Sequence, residues 1–185
     1  VFQINRWLIQ GKSVQWIRNN LAVTVEEVEK HIWQMSRSGW KIDTTDFNAV
    51  SRVLRKSLSN SGQLSNEQIS NLVMNLATPY MNQTLAEQMH PNNPFVLLGG
   101  LHALLLALKD YSFDPNETLK YIVNLGQDTD TVGAIFGSIA GARSGVEWMS
   151  LASLNDWRRI VSYSNAILKG DPPETFQKFI EKEKE

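Results

Sequence analysis

The chain contains no cysteine. That excludes disulfides, thiol nucleophiles and thiolate metal sites, and it fits a reducing compartment. Charge of one sign is also lacking: 18 basic and 19 acidic side chains leave a formal net charge of −1. No general attraction to nucleic acid or to an anionic membrane is therefore expected. No apolar run is long enough to span a bilayer, since the longest, Phe95 to Leu108, is broken by Gly99, Gly100 and His102. No secretory leader is visible either, and a cytoplasmic location is expected. Convincing strand alternation is missing throughout, as are a Gly-rich phosphate loop, a Ser-His-Asp set and a Rossmann fingerprint. An initiator Met is missing too, and Val1-Phe-Gln-Ile-Asn-Arg-Trp reads as mid-helix. Either the Met was removed or the chain is a piece of something longer.

What is present is helical pattern from end to end. The 42% hydrophobic content over 185 residues suffices for one domain with a full core. Val1 to Gln10 carries an apolar stripe that Gly11 ends, and Ser13 caps a short helix through Val14, Trp16 and Ile17. Thr24-Val-Glu-Glu27 reads as a capping box that opens another helix, closed by Ser38-Gly39. Asp43 to Asp46 reads as a turn before a helix from Phe47 to Leu58. Ser65-Asn-Glu-Gln68 is a second capping box, Pro79 starts a further helix, and Pro91 to Pro94 is a break. Phe95 to Lys109 is apolar nearly all round and is expected to be a central buried helix. Asp114-Pro-Asn-Glu117 starts a helix with Asp as cap and Pro at the first position. Asn155 or Asp156 caps a helix ending near Gly170, and a last helix follows Pro173. The fold class is all-α, with about ten helices, as a single domain over 1–185 or a half-domain.

One stretch carries chemistry. After Gly126 and Gln127 come Asp128, Thr129, Asp130 and Thr131, two carboxylates alternating with two hydroxyls. The set offers only hard oxygen ligands, which suits magnesium, manganese or calcium. The plainer reading is that Asp128 or Asp130 caps the next helix. That helix carries Gly133, Gly137 and Gly141 at spacing four, on one face. Each interior Gly costs about 1 kcal/mol against Ala. Three imply a close helix approach, with the acidic turn held buried and rigid. Buried unpaired carboxylates are costly, so a cation is the better account.

Gly126 to Ile135, with Gly137 and Ala140-Gly141-Ala142, resembles the C-terminal signature of the ADP-ribosylglycohydrolase family. Gln127 stands where members usually have a second glycine. The apolar helix Phe95 to Leu108, the Tyr121-Ile-Val-Asn-Leu lead-in and a following Trp, 148 or 157, are also similar. The resemblance is specific from about Phe95 to Trp157. It implies a dinuclear Mg²⁺ or Mn²⁺ site that holds the ribose hydroxyls of ADP-ribose and a water near the anomeric carbon. Asp128, Asp130 and Thr131 would be metal ligands, Asp128 and Asp130 catalytic, and Gly126 and Gln127 substrate-binding. The family's Thr-Asp-Asp motif and diphosphate loop are not found. Thr45-Asp46 is followed by Phe47, so it reads as a helix cap. The chain therefore looks like the C-terminal half of such an enzyme, expecting a second chain with the other half.

Other candidates are weaker. His102 reads as a hydrogen-bonded core histidine, and His31 and His90 have no partners at zinc spacing. Trp40 and Arg158-Arg159 read as ordinary surface. Three functions follow from the resemblance: a hydrolase removing ADP-ribose from proteins or small conjugates, a silent structural protein on the same fold (the family includes a lens crystallin), or a module that holds ADP-ribose without cleaving it.

Overall fold

The computed structural model describes residues 1–36, 49–78, 96–126, 128–150 and 157–170. Within them lie eight α-helices and one π-helical segment, and among the described residues there is no strand. The all-α expectation holds. Two compact units are present, Val1–Val146 and Glu147–Glu185.

In the first unit α1 (Phe2–Ile9) stops where Gly11 takes φ +76°, and α2 (Val14–Ser36) starts where the Ser13 hydroxyl accepts Trp16 N–H at 3.1 Å. α2 corrects the sequence reading, because it runs unbroken through Thr24. No Gly or Pro interrupts Val14–Ser36, and Leu21 and Ala22, which fall between the two helices read from the sequence, are buried on the same helix as Ile17. Thr24, inside the helix, donates back to the Asn20 carbonyl at 3.2 Å instead of capping. The start of α3 (Ala49–Ser61) is capped from its neighbour: the Glu29 carboxylate on α2 accepts the amides of Val50 and Ser51 at 2.9 and 3.2 Å. Asp43 to Phe47, Trp40, Pro79 and His90 lie outside the described residues.

Arg18 ties α2 to the middle of the chain. Its guanidinium donates to Asp110 Oδ2 at 3.2 Å and to the Leu58 carbonyl, while Gly62 carbonyl accepts the amides of Asp110 and Tyr111, both at 2.9 Å. A Cβ on Gly62 would stand 1.4 Å from Arg18 Nη1, so a side chain there would push the guanidinium off its partners. The capping box at α4 (Asn66–Ala77) forms as read: Ser65 Oγ accepts Gln68 N–H at 3.2 Å, and Gln68 Oε1 accepts Ser65 N–H at 2.9 Å.

The central apolar stretch is buried as expected, yet it is not one α-helix. Val96–Leu101 is π-helical and passes into α5 (His102–Ala107). The paired Gly99 and Gly100 lie in that wider turn, where no side chain enforces the tighter α spacing. Leu101, Ala103, Leu105, Leu106 and Ala107 are buried beside Ile69 and Val73 of α4 and Phe136 and Ile139 of α7 (Thr129–Ser144) in the residue set that forms the core. α7 packs on α1, α5 and α6 (Pro115–Val123), and Asn5 Nδ2 donates to Ser138 Oγ at 2.8 Å.

His102 is the core histidine the sequence suggested, 3% exposed. Its Nε2 lies 2.9 Å from Ser70 Oγ, which lies 2.7 Å from Tyr121 Oη. Burial pushes its pKa down to about 4, against a smaller upward effect from the Leu98 carbonyl, so the ring is neutral at pH 7. In the second unit α8 (Trp157–Lys169) buries Ala166 and leaves Ile160, Ile167 and Leu168 exposed; Gly170, at φ +67°, ends it as the sequence suggested. Arg158 is exposed, with its guanidinium 5.6 Å from the Trp157 ring.

Candidate active site

The acidic turn is built by the way α6 hands over to α7. After Val123 the chain tightens, with Leu125 N–H donating to the Ile122 carbonyl at 3.1 Å. Gly126 then takes φ +69°, the left-handed conformation that a glycine adopts without strain. Asp128 follows at the N-cap position of α7 with φ −69° and ψ +63°, and its carbonyl accepts Val132 N–H at 3.0 Å to start the helix.

Asp128 occupies the capping position, yet its side chain makes no capping hydrogen bond. The influence of the Asp128 side chain first, then of the backbone amides of Thr131 and of Asp130 itself, holds the Asp130 carboxyl below the ordinary carboxylate range. Among the described residues no Lys or Arg forms an ion pair with either carboxyl.

Two expectations are corrected here. The turn is not buried: Asp128, Asp130 and Thr131 are all exposed. The α7 core face is Val132, Phe136, Ile139 and Ala140, and the helix start projects past that packing. Nor does the glycine row receive a closely packed helix backbone. A Cβ on Gly133 would meet only Leu119 Cδ1, at an ordinary 3.8 Å, and one on Gly137 or Gly141 would meet nothing within 4 Å. The row lies beside the buried face rather than on it, so among the described residues it is open.

The donor chemistry fits a hard divalent cation in part. Asp128, Asp130 and Thr131 present oxygen only, and the paired carboxyls concentrate negative charge without a protein counter-ion among the described residues. Mg²⁺ or Mn²⁺ takes about six oxygen ligands, however, and two of them need more still. Among the described residues no group of three His, Asp or Glu side chains is assembled. The turn therefore offers a fraction of a dinuclear shell. Gly126 is exposed beside it, while Gln127 lies outside the described residues. His31 is exposed.

Sequence reasoning missed the hydrogen-bonded group Ser70–His102–Tyr121 and a cavity walled by Asn66, Lys109, Tyr111 and Ser112. Their members come from separate helices and loops, so no local spacing announces them. The one signal in the sequence was Lys109 itself, a cation closing an otherwise apolar run.

The pattern of the ADP-ribosylglycohydrolase family matches residues 6–180, a span that begins far upstream of Phe95. No curated protein and no solved structure matches the chain.

Proposed function

The chain belongs to the ADP-ribosylglycohydrolase family, and from that premise we propose that it takes part in hydrolytic removal of ADP-ribose from modified proteins or small ADP-ribose conjugates. The observation that carries the reading is the pair of exposed carboxyls at the start of α7: Asp128 stands at the N-cap position without making a capping bond, and among the described residues neither carboxyl has an ion-pair partner. Neighbouring carboxylates without a counter-ion repel, and a bound cation relieves that repulsion. In this reading Asp128, Asp130 and Thr131 supply part of the oxygen shell of a Mg²⁺ or Mn²⁺ pair. Further ligands come from another part of the polypeptide or from a second chain.

When bound, such a cation pair supplies orientation of a ribose diol and a lowered pKa for a water. The roles of the chain's own groups follow from their placement. Asp130, held ionised by its neighbours, keeps a full negative charge at neutral pH and bears on developing positive charge at the anomeric carbon. Asp128, two residues earlier, adds a second carboxylate to the same exposed turn. Thr131 presents its hydroxyl from the exposed first turn of α7. The bond between the anomeric carbon and the leaving nitrogen or oxygen breaks, a bond to the water oxygen forms, and the leaving group takes up a proton. This reading gives substrate contact to Gly126, exposed beside the turn, and, from the sequence alone, to Gln127.

Hydrolysis assays test this directly. ADP-ribosyl-arginine, ADP-ribosyl-serine and acylated ADP-ribose are each offered with Mn²⁺ or Mg²⁺, alongside native mass spectrometry for a companion polypeptide. Turnover of one linkage that Asp130→Asn abolishes supports the reading. Absence of turnover and of metal uptake with every companion present contradicts it.

A further inference from the structure

Away from the acidic turn, a solvent-facing cavity of about 340 Å³ lies between the start of α4 and the loop that follows α5. Asn66, Lys109, Tyr111, Ser112 and Tyr121 wall it, with Glu67 at the same wall. Lys109 sets it apart from an ordinary surface dent. The residue is 97% buried by its 3% exposure, and its Nζ has a single hydrogen-bond partner among the described residues, Asn66 Oδ1 at 2.6 Å. An ammonium carries three N–H donors. Two are therefore left without an acceptor among the described residues.

The fold gains nothing from this arrangement. Taking an ammonium out of water is expensive, and a lone amide acceptor does not offset it. A second cation makes matters worse. Arg143 donates to the carbonyls of Ala107 and Lys109 at 2.9 and 2.7 Å, and its guanidinium carbon lies 3.6 Å from the Phe113 ring centroid. Burial first, then Arg143, push the Lys109 pKa down, with only Asp114 opposing. The nearby carboxylates are engaged elsewhere: Asp114 Oδ1 caps α6, and Asp110 pairs with Arg18. Glu67 is exposed and forms no ion pair with Lys109. Methionine would fill the same volume more cheaply. Among the described residues no further acceptor answers this ammonium.

The geometry points to an oxyanion-binding site in this cavity, in which Lys109 Nζ donates to a phosphate or carboxylate group of a small molecule. Asn66 and Ser112 belong to the same wall, and each carries a neutral donor group. The volume exceeds that of a bare anion, so the ligand carries further atoms that rest against the rings of Tyr111 and Tyr121. Behind the wall, Tyr121 is fixed through Ser70 to His102, which makes that side rigid. The site needs no metal and none of the residues of the acidic turn, so it stands or falls separately from the hydrolase reading.

The test is titration of the metal-free chain with inorganic phosphate and, in parallel, acetate. Ionic strength is held constant with chloride, and the Lys109 side-chain and Asn66 amide resonances are followed. Saturable shifts with phosphate or acetate support the site, and the tighter of the two identifies the group it takes. Lys109→Gln weakens binding about tenfold or more, the loss expected for a hydrogen bond to a charged group. Glu67→Gln, an exposed change that leaves the fold intact, tightens it about two- to fivefold by removing a repelling charge. No saturable shift beyond that of chloride, in both the wild type and Glu67→Gln, overturns the proposal. So does equal binding by Lys109→Gln.

Discussion

Two helices begin with aspartate, and the two aspartates do different work. At α6 Asp114 stands before Pro115 and accepts the amides of Asn116 and Glu117 at 2.9 and 3.0 Å on one oxygen. Orphan donors are satisfied and the carboxylate is consumed by the fold. At α7 Asp128 holds the equivalent position and makes no such bond. With Asp130 it stands on an exposed surface without a counter-ion among the described residues. The same residue type at the same kind of position is structural in one helix and uncommitted in the other. A carboxylate that caps is consumed by the fold; one that does not is free to take a cation.

Acid separates the fold from the turn, and this is the largest effect expected. His102 is neutral in the folded chain with a pKa of about 4, while an exposed histidine titrates near 6.5. The unfolded state therefore binds more protons between those values. Stability is fully present above about pH 6.5, falls as pH drops, and levels off near pH 4, by up to about 3 kcal/mol. Chemical denaturation across that window measures it, and His102→Gln flattens the profile. Asp130 stays ionised lower than an ordinary carboxylate, so its negative charge outlasts the first loss of stability. If the profile is flat in the wild type, the buried neutral ring is not what the fold depends on.

Next in size is the site itself. Asp130→Asn lowers Mn²⁺ affinity by about 100-fold or more, at least as much as loss of a group supporting a ligand, and leaves the melting temperature nearly unchanged. Asp114→Ala should do the reverse. It costs about 1 kcal/mol, the typical value of an N-cap, with unaltered metal binding. Thermal melts and a Mn²⁺ titration on both variants would invert the comparison if the assignments are interchanged. The smallest effect concerns the glycine row. Gly137→Ala places a Cβ where nothing lies within 4 Å, so it raises stability by up to about 1 kcal/mol through helix propensity. A lower melting temperature would mean that another surface closes on that row.

Local signals explain what could be read in advance. The Ser65 capping box, Asp114 with Pro115, the Gly11 stop and the helix ended by Gly170 are all set within a few residues, and each is present as read. The acidic turn was legible for the same reason, because its residues are consecutive. Thr24 misled because a capping box needs a chain already bent away from the helix. Here no Gly or Pro within Val14–Ser36 bends the chain, and α2 runs straight through. The paired glycines 99 and 100 gave no sign of a π turn. Exposure of the acidic turn was also hidden, since it depends on where the helices packed around α7 end. The family pattern reaches residue 6, whereas α1 to α4 showed only generic amphipathic periodicity to residue-by-residue reading. The Lys109 cavity needs α4 and the loop after α5 together, and no motif spans them.

The central claim is that the carboxyls at the start of α7 serve a cation rather than a helix end. The most direct measurement is Mn²⁺ binding by native mass spectrometry in the presence of ADP-ribose, on the wild type and on Asp130→Asn, with melting curves recorded on the same samples. The account predicts metal retained by the wild type, lost by Asp130→Asn, and matching melting curves. Equal metal retention with a lower melting temperature for Asp130→Asn would contradict it and return both carboxyls to helix capping.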